Sequence, residues 1–264
     1  NGLEETNQIL KQYNIKSILI DHYEIDIQWE QQLIADYIVI IDDLANRMHL
    51  CNLLIDTASE SRLSTYKKLV PKQCKLLLGP KYGIIRDEFI RKLNNEHLAF
   101  DIFICFGASD PQNNSFASLY ELDVRQYKGK ICLTTGLGYA HGKALKNLID
   151  NTNLNITWRQ APPNLADLMY QSKVIITAPG SMLFEAASME KSIIMIKTAE
   201  NQNGNIELFE LNEAAILSTV SNIYSCIQII EDKSKILALK AKAISDGKGK
   251  YRIAHCIHQN SSLI

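Results

Sequence analysis

Short apolar runs alternate with amphipathic stretches along this chain, and that alternation restricts its fold more than any other feature. KSILI (16–20), YIVII (37–41), DIFICF (101–106), KICLTT (130–135), KVIIT (173–177) and SIIMI (192–196) are nearly unbroken runs rich in Ile and Val. Runs of this kind belong in strands covered on both faces. Helical stretches between successive strands make those strands parallel. The pattern predicts helices over 3–13 and 25–34, with further short strands over 52–55 and 75–78. Residues 82–93 read as partly helical. Beyond them strands are expected at 155–158 and 214–217. Helices are expected near 116–122 and over 143–150, 164–171, 182–190, 206–211, 234–245 and 251–259.

The charged stretch RKLNNEH (91–97) interrupts the alternation and reads as a linker. The expected organisation is α/β, with two Rossmann-like domains, 1–96 and 97–264, and the last helix packing back on the first domain. The chain begins without an initiator Met and inside a helix-like segment, so the N-terminal domain is expected to be incomplete. An incomplete sheet exposes edge and core, which predicts a monomer or weak self-association.

Composition closes several alternatives. Of 264 residues, 46% are hydrophobic and 22% charged, and the formal net charge is −1. That balance points to no nucleic-acid partner and no anionic membrane surface. No apolar run reaches the roughly 20 residues of a membrane span. The opening NGLEETNQIL is polar and unlike a signal peptide. The six Cys show no CxxC spacing, and the expectation is reduced structural thiols in a cytoplasmic protein, with no metal site and no cofactor. There is no P-loop, no full GxGxxG and no GxSxG elbow.

The chemistry is expected at the carboxyl ends of the strands. In KVIITAPGSMLFEAASME (173–190) a strand runs through a Pro-Gly break into a helix, with Ser181 as the expected cap. Backbone amides at such a helix start favour a phosphate. Glu185, one turn further on, can accept hydrogen bonds from ribose hydroxyls. After Phe106 the loop GASDPQNNS offers Gly107, Ser109, Asp110, Asn113 and Asn114, and after Ile196 the loop KTAENQNGN offers amide side chains suited to sugar hydroxyls. Asp21, His22 and Tyr23 follow the first strand and carry acid–base groups. Asp43 is expected to cap the turn after the second strand and to pair with Arg47. Each of these loops also has a plain structural reading, as a capped turn or a hydrogen-bond cluster.

IDHYEID (20–26), IDDLANRMHLCNLLID (41–56), LLGPKYGIIRDEF (77–89), FGASDPQNN (106–114), GSMLFEA (180–186) and ENQ (200–202) occur in that order. Together they resemble the UDP-sugar hydrolases of pseudaminic acid biosynthesis, relatives of spore-coat polysaccharide biosynthesis proteins. The resemblance implies a GT-B-like fold and a UDP-sugar substrate carrying a diacetamido-trideoxy hexose. It implies metal-independent hydrolysis at the anomeric carbon, with inversion. It implies UDP contacts from Gly180, Ser181, Met182 and Glu185, and phosphate contacts near Gly107, Ser109 and Asn113. Asn201 and Gln202 are implied on the sugar or its phosphate, and Tyr23 with Asp21 and His22 on the side where water enters. One departure stands out: the family's glycine-rich loop bearing the proposed base His has no counterpart in this chain. The alternatives are a non-catalytic UDP-sugar-binding module and a GT-B glycosyltransferase.

Overall fold

Aliphatic residues build two parallel sheets, each packed on both faces. The computed structural model describes residues 2–58, 60–90 and 98–261. Contacts divide the chain into two units, residues 1–84 with 248–264, and residues 85–247. The expected linker over 91–97 lies outside the described residues. The division falls earlier, after Ile84, because Ile85 and Phe89 are buried in the core of the second unit.

The first unit holds β1 (Ser17–Asp21), β2 (Tyr37–Ile41), β3 (Leu53–Asp56) and β4 (Lys75–Leu78), parallel and in sequential order. Alternate residues part to opposite faces. Ile20, Ile38, Ile40, Leu54 and Leu78 pack with Tyr66, whereas Tyr37, Val39, Leu53, Ile55 and Leu77 pack with Ile253 and Cys256 of the last helix. Around the sheet lie α1 (Leu3–Gln12), α2 (Ile27–Glu30) and α3 (Leu63–Leu69). The helix expected over 25–34 is only the four residues of α2. Asn7 explains the stop: its side chain donates to the Gln32 carbonyl (2.8 Å) and accepts from the Ile34 amide (3.1 Å). The α3 helix was not legible in the alternation, since LSTYKKL carries few apolar residues and buries Tyr66 alone.

The second unit holds β5 (Phe100–Cys105), β6 (Lys130–Thr135), β7 (Asn155–Gln160), β8 (Ser172–Thr177), β9 (Ser192–Ile196) and β10 (Ile216–Ser218). Their order across the sheet is β10-β9-β8-β5-β6-β7, every pairing parallel. The chain therefore starts in the middle, runs outward through β6 and β7, then returns to the other side of β5. On one face lie α4 (Asn114–Val124), α5 (Gly142–Asn151) and the start of α9 (Ile223–Ile244), against Ile102, Ile104, Ile131, Val174 and Ile194. On the other lie α6 (Leu165–Tyr170), α7 (Ser181–Ser188) and α8 (Asn203–Leu211), against Phe103, Cys132, Ile175 and Met195.

The last helix, α10 (Gly249–Ser261), belongs to the first unit. Its seat depends on Gly249, where an added Cβ would lie 2.3 Å from the Gly83 carbonyl oxygen. Of the stretch 82–93, expected to be partly helical, the described residues form single 3₁₀ turns at Pro80–Tyr82 and Asp87–Phe89, and 91–93 lie outside the described residues.

Phe103 sits fully buried on the sheet face covered by α6, α7 and α8. Phe103→Ala should cost this unit about 3–5 kcal/mol in urea unfolding. Leu211, which is 77% exposed, should tolerate alanine within about 0.5 kcal/mol.

Candidate functional site

The reversal of strand order between β5 and β8 makes a switch point at their carboxyl ends, the place where ligands of such sheets gather. Two loops open there, one after each strand. The loop after β5 bends at Gly107 (φ +86°), a conformation that strains any residue with a Cβ. Asp110 is buried behind it and caps α4: its carboxylate accepts from the Asn114 amide (2.9 Å) and the Ser115 amide (2.7 Å). Asn113 takes a left-handed conformation, and its Oδ1 accepts from the Tyr139 hydroxyl at 2.5 Å. Ser109 is left exposed.

The loop after β8 leads directly into α7. The residue before the helix is Gly180, and no side chain caps it. Ser181 is the first helical residue, so it does not serve as the expected cap. A Cβ added to Gly107 or Gly180 would meet no atom within 4 Å, so both backbones border open space. The amides at this helix start are aimed outward with the positive end of the helix dipole.

Side-chain amides tie these loops to the one after β9. Gln112 Nε2 donates to the Thr198 carbonyl (2.7 Å), and Asn205 Nδ2 donates to the Pro179 carbonyl (2.9 Å). Gln202 folds its own turn. Its Oε1 accepts from the Thr198 amide (2.9 Å) and its Nε2 donates to the Thr198 hydroxyl (2.9 Å), while Asn201 is exposed. Gly107, Ser109, Asn113, Gly180, Ser181, Met182, Asn201 and Gln202 thus follow three adjacent strands, β5, β8 and β9. Gln112 and Asn205, which hold the loops together, were missed in the sequence. A polar loop side chain bonding a distant carbonyl leaves no periodic trace.

Glu185 is buried one turn into α7, and its Oε1 accepts from Arg86 Nε at 3.0 Å. Arg86 also pairs with Glu88 (2.8 Å) and lies over the Phe89 ring, 4.5 Å from its centroid. Arg86 therefore orients the carboxylate, a partner 99 positions away in the chain.

In the first unit, a buried ionic cluster shapes the strand ends. Asp42, just beyond β2, accepts from Arg47 (2.8 Å), the Ala45 amide (2.9 Å) and the Tyr66 hydroxyl (2.9 Å). The expected role of Asp43 as cap and Arg47 partner thus falls to its neighbour Asp42, the residue whose side chain turns inward. Arg47 also donates to the Ile25 (2.8 Å) and His22 (3.1 Å) carbonyls, tying the loop after β1 to the loop after β2. The Tyr66 hydroxyl lies 3.1 Å from Asp56, which pairs with Arg62 (2.8 Å). His49 Nδ1 meets Glu30 at 2.6 Å, and its Nε2 faces Asp42 at 3.9 Å.

Asp21, His22 and Tyr23 stand exposed beside this cluster. Tyr23 donates to Asp43 (3.3 Å), and the Asp43 charge, followed by desolvation, raises its pKa. His22 Nδ1 accepts from the Glu24 amide at 3.1 Å. Among the described residues, no group of three or more His, Cys, Asp or Glu side chains could hold a metal ion. None of the described helices is long and apolar enough to cross a membrane.

No protein-family model matches the chain. The chain is 27% identical over 204 residues to the UDP-2,4-diacetamido-2,4,6-trideoxy-beta-L-altropyranose hydrolase of Campylobacter jejuni, covering 76% of this chain and 73% of that protein. Among solved structures, MurG of Acinetobacter baumannii matches with a TM-score of 0.66 and 12% identity, over 97% of this chain and 77% of that one. The UDP-GlcNAc 2-epimerase of Neisseria meningitidis, bound to UDP-GlcNAc, matches with a TM-score of 0.62 and 14% identity, over 97% and 80%. These structural likenesses establish the fold, which is α/β with parallel sheets of the GT-B kind.

The Glu30–His49–Asp42 cluster gives the first unit a pH dependence. Burial lowers the His49 pKa, but the carboxylates of Asp42, 3.9 Å away, and Glu30, at 2.6 Å, outweigh it and raise the value from 6.5 to about 9. Burial raises the Asp42 pKa, but the nearby His49 ring and the hydrogen bonds from the Ala45 amide and the Tyr66 hydroxyl outweigh it and hold the carboxyl well below its usual 3.8. Stability from His49 is therefore full below pH 6.5 and lost as pH rises toward 9. Stability from Asp42 is present above pH 3.8 and lost as pH falls below it. Urea midpoints should fall between pH 6.5 and 9, and His49→Gln should flatten that alkaline limb.

Proposed function

We propose that this chain is a UDP-sugar hydrolase. Water attacks the anomeric carbon of a UDP-linked diacetamido-trideoxy hexose, the bond to the diphosphate oxygen breaks, and UDP departs. The sugar released would feed nonulosonic acid synthesis of the pseudaminic type. The observation that carries this reading is the uncapped start of α7 at the β5–β8 switch point. Outward amides and a helix dipole are suited to a diphosphate, and they stabilise the charge that grows on it as the bond breaks. The Campylobacter relative, matched over most of both chains, supports a UDP-sugar-processing role.

In this reading the 97–264 part binds UDP. Gly180, Ser181 and Met182 hold the diphosphate through backbone amides, with Gly107, Ser109 and Asn113 alongside. Glu185, oriented by Arg86, accepts from the ribose hydroxyls. Asn201 meets the sugar directly, and Gln202 acts by shaping the turn that presents it.

The water side is assigned to Asp21, His22 and Tyr23. The raised Tyr23 pKa keeps its hydroxyl protonated, so Tyr23 is a donor. His22 accepts a backbone amide at Nδ1, which in the neutral ring leaves the proton on Nε2. Asp21 is then the group of the three with an oxygen ready to take the proton of water.

A proton NMR time course with the UDP-linked diacetamido sugar, paired with a UDP titration, tests the proposal. Free sugar of inverted anomeric configuration together with UDP is the expected result. Binding without release, or release only as a glycoside of an added acceptor, would overturn hydrolysis in favour of a binding module or a glycosyltransferase. Glu185→Ala should weaken UDP binding by about 1–3 kcal/mol. Asp21→Asn should lower kcat by about 10²–10⁴-fold while leaving UDP affinity unchanged.

A further inference from the structure

Two thiols meet where β3 and β4 begin. Cys51 and Cys74 each precede their strand, the strands are parallel neighbours, and the sulfurs are 3.5 Å apart. Both side chains lie in the apolar cluster around Tyr66 and Leu54. Cys105, Cys132, Cys226 and Cys256 are buried, whereas Cys74 is partly exposed. Cys74 also borders a surface cavity of about 410 Å³, together with Leu63, Lys67, Pro71 and Lys72. The pair thus has one thiol within reach of a small solute and one thiol sealed behind it.

We propose that Cys51 and Cys74 are a reversible oxidation site, closed to a disulfide by peroxide and reopened by a dithiol reductant. The roles within the pair are unequal. The hydrogen bond from Cys51 lowers the Cys74 pKa against the opposing effect of burial, and the same bond, with burial, pushes the Cys51 thiol far up. Lys67 and Lys72 line the same cavity and give its mouth positive charge. Cys74 is therefore the attacking thiolate and Cys51 the resolving thiol.

The steps balance as follows. The Cys74 thiolate attacks one oxygen of hydrogen peroxide, the O–O bond breaks, and hydroxide leaves, giving a sulfenic acid. The Cys51 sulfur then attacks the Cys74 sulfur, and the S–O bond breaks. The departing hydroxyl leaves as water, with the Cys51 proton making up the balance. Two thiols are oxidised and peroxide is reduced to water.

The bond would act on the ionic cluster described above. Cys51 follows Leu50, whose amide donates to Glu30 at 2.5 Å, and Leu50 follows His49. Closing the pair fixes the strand start from which His49 and Leu50 reach Glu30. It also restricts the unfolded chain between the two cysteines, which carries β3 and α3, and so raises the unfolding midpoint of the oxidised form.

The test treats the full chain with equimolar hydrogen peroxide, alkylates it under denaturing conditions and maps it by mass spectrometry. The expected result is the loss of two hydrogens, two fewer alkylated thiols and a Cys51–Cys74 cross-linked peptide, all reversed by dithiothreitol. Cys51→Ser should leave a Cys74 sulfenic acid trappable by dimedone, and Cys74→Ser should leave Cys51 unreactive. Unchanged thiol content, a cross-link between other cysteines, or a Cys51 that reacts equally well without Cys74 would overturn the proposal. Mapping of the unsubstituted chain decides the matter even where a variant misfolds. The readout is a covalent bond, so it stands apart from any outcome with UDP-sugars.

Discussion

A parallel sheet covered on both faces leaves only its edges for polar work, and both units of this chain obey that constraint. Ile, Val, Leu and Phe occupy strand interiors, so recognition chemistry is pushed to the residues just past the strands. In the second unit the constraint is sharper still, because the strand order reverses between β5 and β8. Helices leaving those strands depart to opposite faces, and the loops between them are drawn apart. The start of α7, preceded by Gly180 and without a side-chain cap, opens at this point.

The two units hold their strand-end loops in different ways. The second uses hydrogen bonds to backbone groups: Asp110 caps α4 through backbone amides, and Gln112 and Asn205 bridge loops through carbonyls. The first uses buried charge. Arg47, Asp42, His49 and Glu30 gather behind the exposed Asp21, His22 and Tyr23. Burying ions is costly unless each finds its partner, so losing one member is worse than losing a pair. Such a cluster keeps a short helix like α2 and an irregular loop in one arrangement, where apolar packing alone has little area to work with.

Much of the fold was legible because strand periodicity is a local signal. The bounds of β2, β4, β6 and β9 match the apolar runs residue for residue. The helix over 25–34 failed because its end is decided by Asn7, a contact between segments far apart in the chain. The α3 helix escaped notice because its one buried side chain, Tyr66, is held by Asp42 and Asp56 more than by an apolar stripe. For the candidate site, glycines and polar loops after strands were visible. Arg86 opposite Glu185 was not, and neither was Glu30 opposite His49. Both are long-range ion pairs, and charge in a sequence says nothing of which partner it will meet.

The Arg86–Glu185 pair shows what such a contact does for a site. A carboxylate on the first turns of a helix is favoured by the dipole, yet a buried one pays a desolvation cost. Arg86 offsets that cost and limits the rotamers of Glu185, since a guanidinium donates along fixed directions. Stacked over Phe89, the Arg86 side chain is restrained in turn. Phe89 is buried in the core of the same unit. The position of one carboxylate thus rests on a chain of contacts from an ion pair to a ring to the packed interior. Replacing Arg86 by Lys would keep the charge and lose both the directed bond and the stacking, so the carboxylate would be neutralised without being placed.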